Sequence, residues 1–175
     1  MTSEDILDAT CGGRSIWHQN NKDRDDTLYI DKRKEEPGFH GQEGRTYGIQ
    51  PDELEDFRNL PYDDQSFKLV VFDPPHIVKD NGMESLSGHV EKKYGALHAE
   101  TWQHDIRKGF EELFRVLETG GTLVFKFADN AVDFKEVLDL APVDPLLGTM
   151  TKKSSSCENR WFVFQKTEEV RSSST

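Results

Sequence analysis

Leu69-Val70-Val71-Phe72-Asp73-Pro74-Pro75-His76 is an apolar run that stops abruptly at an acid, two prolines and a histidine. Residues 69–72 are short, β-branched and continuous rather than alternating, the pattern of a parallel strand buried on both faces. Pro74 and Pro75 have no backbone N–H to give to a ladder, and each forces the residue before it into extended geometry. The strand therefore ends at Asp73, with the carbonyls of Asp73 and Pro74 left free beside a carboxylate. A rigid acceptor cluster at the C-terminal edge of a parallel sheet lies where open α/β folds bind ligands. By itself Asp-Pro-Pro reads equally as a stiff turn, and the surrounding chain decides between the two.

Strand-like and helical segments alternate on either side. Strands are expected at 6–9, 27–30, 52–56, 122–127 and 161–165, with helical segments at 14–21 and 132–140. Between 99 and 117, Trp102, Ile106, Phe110, Leu113, Phe114 and Leu117 recur at three- and four-residue spacing, the stripe of an amphipathic helix. Gly120 and Gly121 are its expected stop. Residues 32–50 are polar and glycine-dotted, without a clear element. Residues 77–97, punctuated by Gly82, Gly88 and Gly95, are long for a plain connection and read as a lid. Alternation of this kind argues for a mostly parallel sheet with helices on both faces. The expected organisation is one domain at 1–166, with a loop at 154–156 and a disordered tail at 167–175.

Composition narrows the function. The 175 residues are 34% hydrophobic and 31% charged, which fits one soluble core. No apolar run approaches the about 20 residues that span a bilayer, and residues 1–5 are too short and acidic for a signal peptide. Cys11 and Cys157 show no metal-ligand spacing, so neither a zinc site nor a disulfide framework is expected. A reducing, cytoplasmic setting is the expectation. Cys11 has no partnered histidine motif and reads as a small residue in tight space rather than a nucleophile. His89, His98 and His104 lack metal spacing too. The net charge of −11 gives no general attraction for phosphate. A nucleic-acid substrate would need a local basic patch, a partner subunit or a salt-adapted setting. Lys92, Lys93, Arg107 and Lys108 form one such cluster and Lys152, Lys153 and Arg160 another; each serves equally as a solvated face.

In Ile6-Leu7-Asp8-Ala9-Thr10-Cys11-Gly12-Gly13-Arg14 a strand runs into two glycines. Small residues let the backbone approach a ligand closely, although a G-x-G-x-x-G dinucleotide fingerprint is absent. The next strand ends in Asp31, about 20 residues on, where doubly wound folds set an acid against ribose hydroxyls. Alone, Asp31 is as readily a solvated strand-end acid; with Asp8 and Gly12 it points to a nucleoside ligand.

The order D-A-T-C-G-G (8–13), Y-I-D (29–31), D-F-R-N-L-P-Y (56–62), L-V-V-F-D-P-P-H (69–76) and F-R-V-L-E-T-G-G-T-L-V-F-K (114–126) resembles a class I S-adenosylmethionine-dependent methyltransferase. More narrowly it is similar to the small amino-methyltransferases carried by phages and prophages. The likeness runs from Ile6 to Lys166. It departs from the family in the first loop, D-x-x-C-G-G rather than E/D-x-G-x-G, and in Thr119, where proline is common. The resemblance implies a doubly wound, mostly parallel seven-stranded Rossmann-like sheet. It implies S-adenosyl-L-methionine as cofactor, with Asp8, Ala9, Cys11, Gly12 and Gly13 at the methionine and ribose end. Asp31 would take the ribose hydroxyls, and Asp56 and Phe57 the adenine, Phe57 doubling as a core residue.

By the same resemblance Asp73, Pro74, Pro75 and His76 would be catalytic. The Asp73 carboxylate, which also borders the cofactor, and the Pro74 carbonyl would accept from an exocyclic amine. His76 would stack on the target base, or else stand as a loop histidine. Lys93 and Tyr94 in the lid are candidate substrate contacts. The implied activity is methyl transfer to adenine N6 in DNA. Cytosine N4, RNA adenine, a protein amide or a small-molecule amine are the alternatives. A further alternative is a non-catalytic cofactor-binding subunit, and a homodimer or partner subunit is the implied source of target recognition.

Overall fold

The computed structural model describes residues 4–151 and 156–168. Lys152, Lys153, most of the expected 154–156 loop, residues 1–3 and the 169–175 part of the expected tail lie outside them. In chain order the elements are β1 (Ile6–Asp8), β2 (Thr27–Asp31), β3 (Glu53–Leu54), β4 (Phe67–Phe72), β5 (Val78–Lys79), α1 (His89–Tyr94), β6 (Leu97–His98), α2 (Trp102–Val116), β7 (Leu117–Ala128), α3 (Phe134–Leu138) and β8 (Asn159–Gln165). A six-stranded sheet runs in the order β3-β2-β1-β4-β7-β8, and β5 and β6 form a separate pair. Every neighbouring pair in the large sheet is parallel except β7 with β8.

The alternation of side chains along each strand divides the buried residues between two faces. Leu7, Leu28, Ile30, Val70, Phe72, Leu123, Phe125 and Phe127 join one core cluster with Ile106, Phe110, Leu113 and Phe114 of α2. At its centre the Phe72 ring stands 5.5 Å from Phe110 and 5.6 Å from Phe125, and Phe110 lies 5.1 Å from Phe125. The α2 stripe lands on the sheet as its spacing predicts. α3 adds Phe134, Val137 and Leu138 to the same cluster, with Phe134 against Phe162 of β8. Gly109 in α2 has a packing reason: a Cβ there would stand 2.6 Å from the Phe57 ring.

Four expectations are corrected. The large sheet has six strands among the described residues, in place of seven. Among the described residues between α3 and β8, the Pro142- and Pro145-bearing segment makes only an isolated bridge, Leu147 to Val163. The expected helix at 14–21 is a single 3-10 turn at Gln19–Asp23. Arg14 and Gln19 sit at φ of 53° and 42°, outside the helical path. The Arg14 guanidinium is held by the carbonyls of Lys22 and Gln50 and by Asp23 and Asp52. The face behind β1 and β2 is consequently lined by irregular chain rather than a helix: Trp17 packs edge-on against Tyr29 at 5.4 Å, with Arg14 over the same ring at 3.8 Å. α2 ends at Val116 rather than at Gly120-Gly121, which lie inside β7. Lys166 Nζ donates to the Leu117 carbonyl at 2.6 Å, and Leu117 already pairs with Phe67.

The fourth concerns residues 77–97, read as a lid without periodic structure, which hold two paired strands and a helix. β5 pairs with β6, and α1 lies between them with Glu91 accepting from Ser87 N–H and from Lys79 Nζ.

Candidate functional site

The carboxyl ends of β1, β2 and β4 meet where the strand order turns back, and main-chain bonds tie them together. Ala9 N–H donates to the Val71 carbonyl at 3.0 Å and Cys11 N–H to the Ile30 carbonyl at 2.9 Å. Asp73 N–H, the last donor before the prolines, goes to Thr10 Oγ1 at 2.8 Å. The Asp-Pro-Pro turn is thus clamped to the first loop.

Above this junction opens a cleft. Ala9, Cys11, Gly12 and Gly13 form its floor, Asp31, Lys32 and Arg33 one wall, and Glu55 and Phe57 another. Asp73 and Pro75 close the far side, and Met83, Lys93 and Tyr94 reach over from the lid. Asp31 organises the floor: its carboxylate accepts from Gly12 N–H at 3.1 Å and from Arg33 N–H at 2.9 Å. Tyr47 lies against the glycines, its oxygen accepting from Gly13 N–H at 2.9 Å. A Cβ on Gly13 would stand 2.2 Å from the Tyr47 ring, so this contact requires glycine. Burial pushes the Tyr47 phenol up to about 12, and at neutral pH it remains a hydroxyl that donates to the Lys93 carbonyl.

The lid is latched to the same wall. Arg33 donates to the carbonyls of Lys92 and Lys93 at 2.8 and 3.2 Å, two of the acceptors that the last turn of α1 leaves without helical partners. Arg33→Ala is expected to speed amide exchange across 89–95 at least tenfold while β4 and β7 are unchanged. Hydrogen bonds to a charged group are worth about 1.5–3 kcal/mol. Unaltered protection in α1, measured by hydrogen-exchange mass spectrometry, would refute the latch.

The expected residues fall into two groups. Ala9, Cys11, Gly12, Gly13, Asp31, Phe57, Asp73, Pro75, Lys93 and Tyr94 share the cleft. Asp8, Asp56, Pro74 and His76 stand off its lining. Asp8 is fully buried beneath the floor, accepting from Trp17 Nε1 at 2.6 Å and from Thr10 N–H at 3.2 Å. Burial lifts its carboxyl to about 7, against the pull of those donors. The Asp56 carboxylate is engaged by Arg58, at 2.6 Å in its closest contact, and Arg58 also reaches Asp105 at 3.0 Å. Arg58 is therefore a plain salt-bridge residue. Pro74 is buried, and His76 stands beside Tyr94 and Phe127 with ring centroids 6.1 and 6.5 Å away. Burial, then the charge of Lys126, holds the His76 imidazole below its ordinary value.

Lys126 is the residue that sequence reasoning missed. Its Nζ lies 3.1 Å from each oxygen of Asp73. Burial raises the Asp73 carboxyl and Lys126 opposes the rise. A lysine inside Leu123-Val124-Phe125-Lys126-Phe127 is the signal that was available, a charge where an apolar run is otherwise unbroken. Among the described residues no group of three or more His, Cys, Asp or Glu is placed to hold a metal ion, and no helix is long and apolar enough to cross a membrane.

No protein-family model matches the chain, and no curated protein is similar to it in sequence. Solved structures are. The crystal structure of the PH0226 protein from Pyrococcus horikoshii OT3 superposes with a TM-score of 0.53 at 14% identity, covering 93% of this chain and 81% of that one. The likeness is one of fold. A TehB-like SAM-dependent methyltransferase from Corynebacterium glutamicum matches at TM-score 0.47 and 17% identity, over 93% of this chain and 79% of its own. The N-methyltransferase NodS from Bradyrhizobium japonicum matches at 0.47 and 13%, over 93% and 84%.

Proposed function

We propose that this chain is an S-adenosyl-L-methionine-dependent methyltransferase acting on the exocyclic amine of a nucleic-acid base, adenine N6 in DNA first among them. The observation that carries the reading is the Asp73-Pro74-Pro75-His76 turn, held by Thr10 against a cleft that also contains Asp31 and Phe57.

The donor set of the cleft suits the cofactor. Each Asp31 oxygen accepts one main-chain N–H, which leaves carboxylate lone pairs for a ribose diol. Phe57 offers an apolar wall for a purine, with the backbone of 9–13 at the opposite end. Bound there, the cofactor supplies an electrophilic methyl, so the protein mainly contributes position and charge. Asp73 would accept from the acceptor amine and stabilise positive charge as it develops on nitrogen. His76, uncharged at neutral pH, would lay its ring on the base, with Tyr94 beside it. A base in a duplex would have to be flipped out to reach them.

Lys32, Arg33 and Lys93 line the cleft against Asp31, Glu55 and Asp73, so its charges balance in a chain whose net charge is −11, and a nucleic-acid substrate would need phosphate contacts from a further surface. Target recognition by a second copy or a partner subunit is part of the same proposal. Labelled methyl from S-adenosyl-L-methionine is expected in N6-methyladenine when the protein is given DNA, RNA and protein pools in turn. Label in N4-methylcytosine or in RNA would keep the chemistry and change the acceptor. Label in protein or a small amine would refute the nucleic-acid reading. No label, with cofactor binding intact, would refute autonomous catalysis.

A further inference from the structure

Lys126 stands between Phe125 and Phe127 of β7, and strand alternation turns its side chain away from the aromatic core toward Asp73. Both side chains of this pair are only 19% exposed, and the ammonium is equidistant from the two carboxylate oxygens. A carboxylate with its charge matched in this way can still accept a hydrogen bond from a neutral N–H. It has less to offer a full second cation, which must also shed its water, than the partial charge that develops on a neutral amine as its lone pair is given up.

We propose that Lys126 sets the charge of the acceptor: by neutralising Asp73 it restricts the site to uncharged amino groups, such as those on heteroaromatic rings, and excludes alkylammonium groups. The inference rests on the methyltransferase reading and narrows its substrate class. An alkylamine is an ammonium at neutral pH and would have to shed water beside Lys126 and beside a sulfonium donor. A ring amine is neutral and enters without that penalty.

The other charged groups that share the cleft with Asp73 or stand near it are of both signs. Asp8, beneath it from β1, is committed to Trp17 and Thr10. Asp31, from β2, accepts from the main-chain N–H groups of Gly12 and Arg33. Lys93 reaches in from α1, Lys32 and Arg33 follow β2, and Glu55 follows β3. His76, from the same turn as Asp73, is held neutral partly by Lys126 itself. In the reaction the acceptor nitrogen gives its lone pair to the new N–C bond as the donor's S–C bond breaks onto sulfur. The surplus proton on nitrogen passes to the Asp73 carboxylate and on to water, and Lys126 stays an ammonium throughout.

The test uses Lys126→Met, with Lys126→Arg as the charge-preserving control and Lys126→Gln as a second neutral variant. In the ligand-free protein, the ¹³C-carboxyl titration of Asp73 should move up by at least one pH unit in Lys126→Met and return in Lys126→Arg, since removing the ammonium removes what opposes burial. Benzylamine, a ring carrying an ammonium, should bind Lys126→Met at least tenfold more tightly than wild type by calorimetry near neutral pH. An unmoved Asp73 titration, or equal benzylamine affinity in both proteins, overturns the assignment. A wild type that methylates no base but shows the titration and benzylamine shifts supports the role of Lys126 and refutes the nucleic-acid reading instead.

Discussion

Asp73→Asn lowers methyl transfer by roughly 10³-fold while the dissociation constant for S-adenosyl-L-methionine changes less than tenfold. That split is the expected result if Asp73 serves the acceptor rather than the donor. An amide oxygen can still accept from Lys126, and the turn keeps its clamp because the Asp73 N–H to Thr10 bond does not involve the side chain. What the amide lacks is the negative charge that stabilises a nitrogen becoming positive. Removing one such electrostatic partner costs about 10²–10³ in rate, and the loss here includes the proton acceptor as well. Asp73→Ala would be as inactive but is the poorer test. It leaves Lys126 facing a cavity with no counter-charge, and breaking a buried ion pair costs about 3–5 kcal/mol at full burial. With both partners 19% exposed the penalty is smaller, yet it would still lower the melting temperature. Single-turnover kinetics on both variants, with melting temperatures alongside, separate the chemistry from the packing. More than a tenth of wild-type transfer in Asp73→Asn would remove Asp73 from the reaction. A collapse of cofactor binding would move it to the donor.

The strand edges that build this site were legible because they obey local rules. The β4 run ends at prolines that cannot donate, and the α2 stripe is periodic over its full length. The glycine turn and Asp31 follow their strands closely enough to be placed by fold alone. The residues that complete the site were hidden by distance. Tyr47 lies in a stretch without periodicity and meets Gly13 only after the chain has passed through β2. Arg33 reads as one more charge in a polar segment until α1 brings its last carbonyls across. Lys126 pairs with a residue 53 positions away, and no spacing along the chain announces that contact. Asp8 and Asp56 show the same effect. Both stand at the strand-end positions where a ligand-binding acid is expected, and each already accepts from a side chain that no spacing announces, Trp17 and Arg58. The expected helix at 14–21 failed for the same kind of reason: Arg14 finds four partners by leaving the helical path.

Asp31→Ala is expected to reverse the pattern of Asp73→Asn, weakening cofactor binding and leaving any residual turnover at saturation close to wild type. The carboxylate has two tasks. It holds Gly12 N–H and Arg33 N–H, which shapes the floor of the cleft and the root of the lid latch. In the proposed complex it also accepts from the ribose hydroxyls. A charge-assisted hydrogen bond lost on the ligand side costs about 1–3 kcal/mol, or roughly 5- to 150-fold in affinity. The structural task predicts a separate signature in the free protein, faster amide exchange at Gly12 and Arg33, because both donors lose their acceptor. Asp31→Asn divides the two. Its single oxygen can keep one main-chain partner, while its amide nitrogen turns a donor toward the other. It should bind the cofactor better than Asp31→Ala and worse than wild type. Calorimetry on the three proteins orders them directly. An unchanged dissociation constant in Asp31→Ala would take Asp31 out of the cofactor site. Weakened binding with unchanged exchange at Gly12 and Arg33 would show that the carboxylate acts on the ligand without shaping the loop. A loss confined to exchange would make Asp31 a scaffold for the glycine turn and leave the ribose to another acceptor.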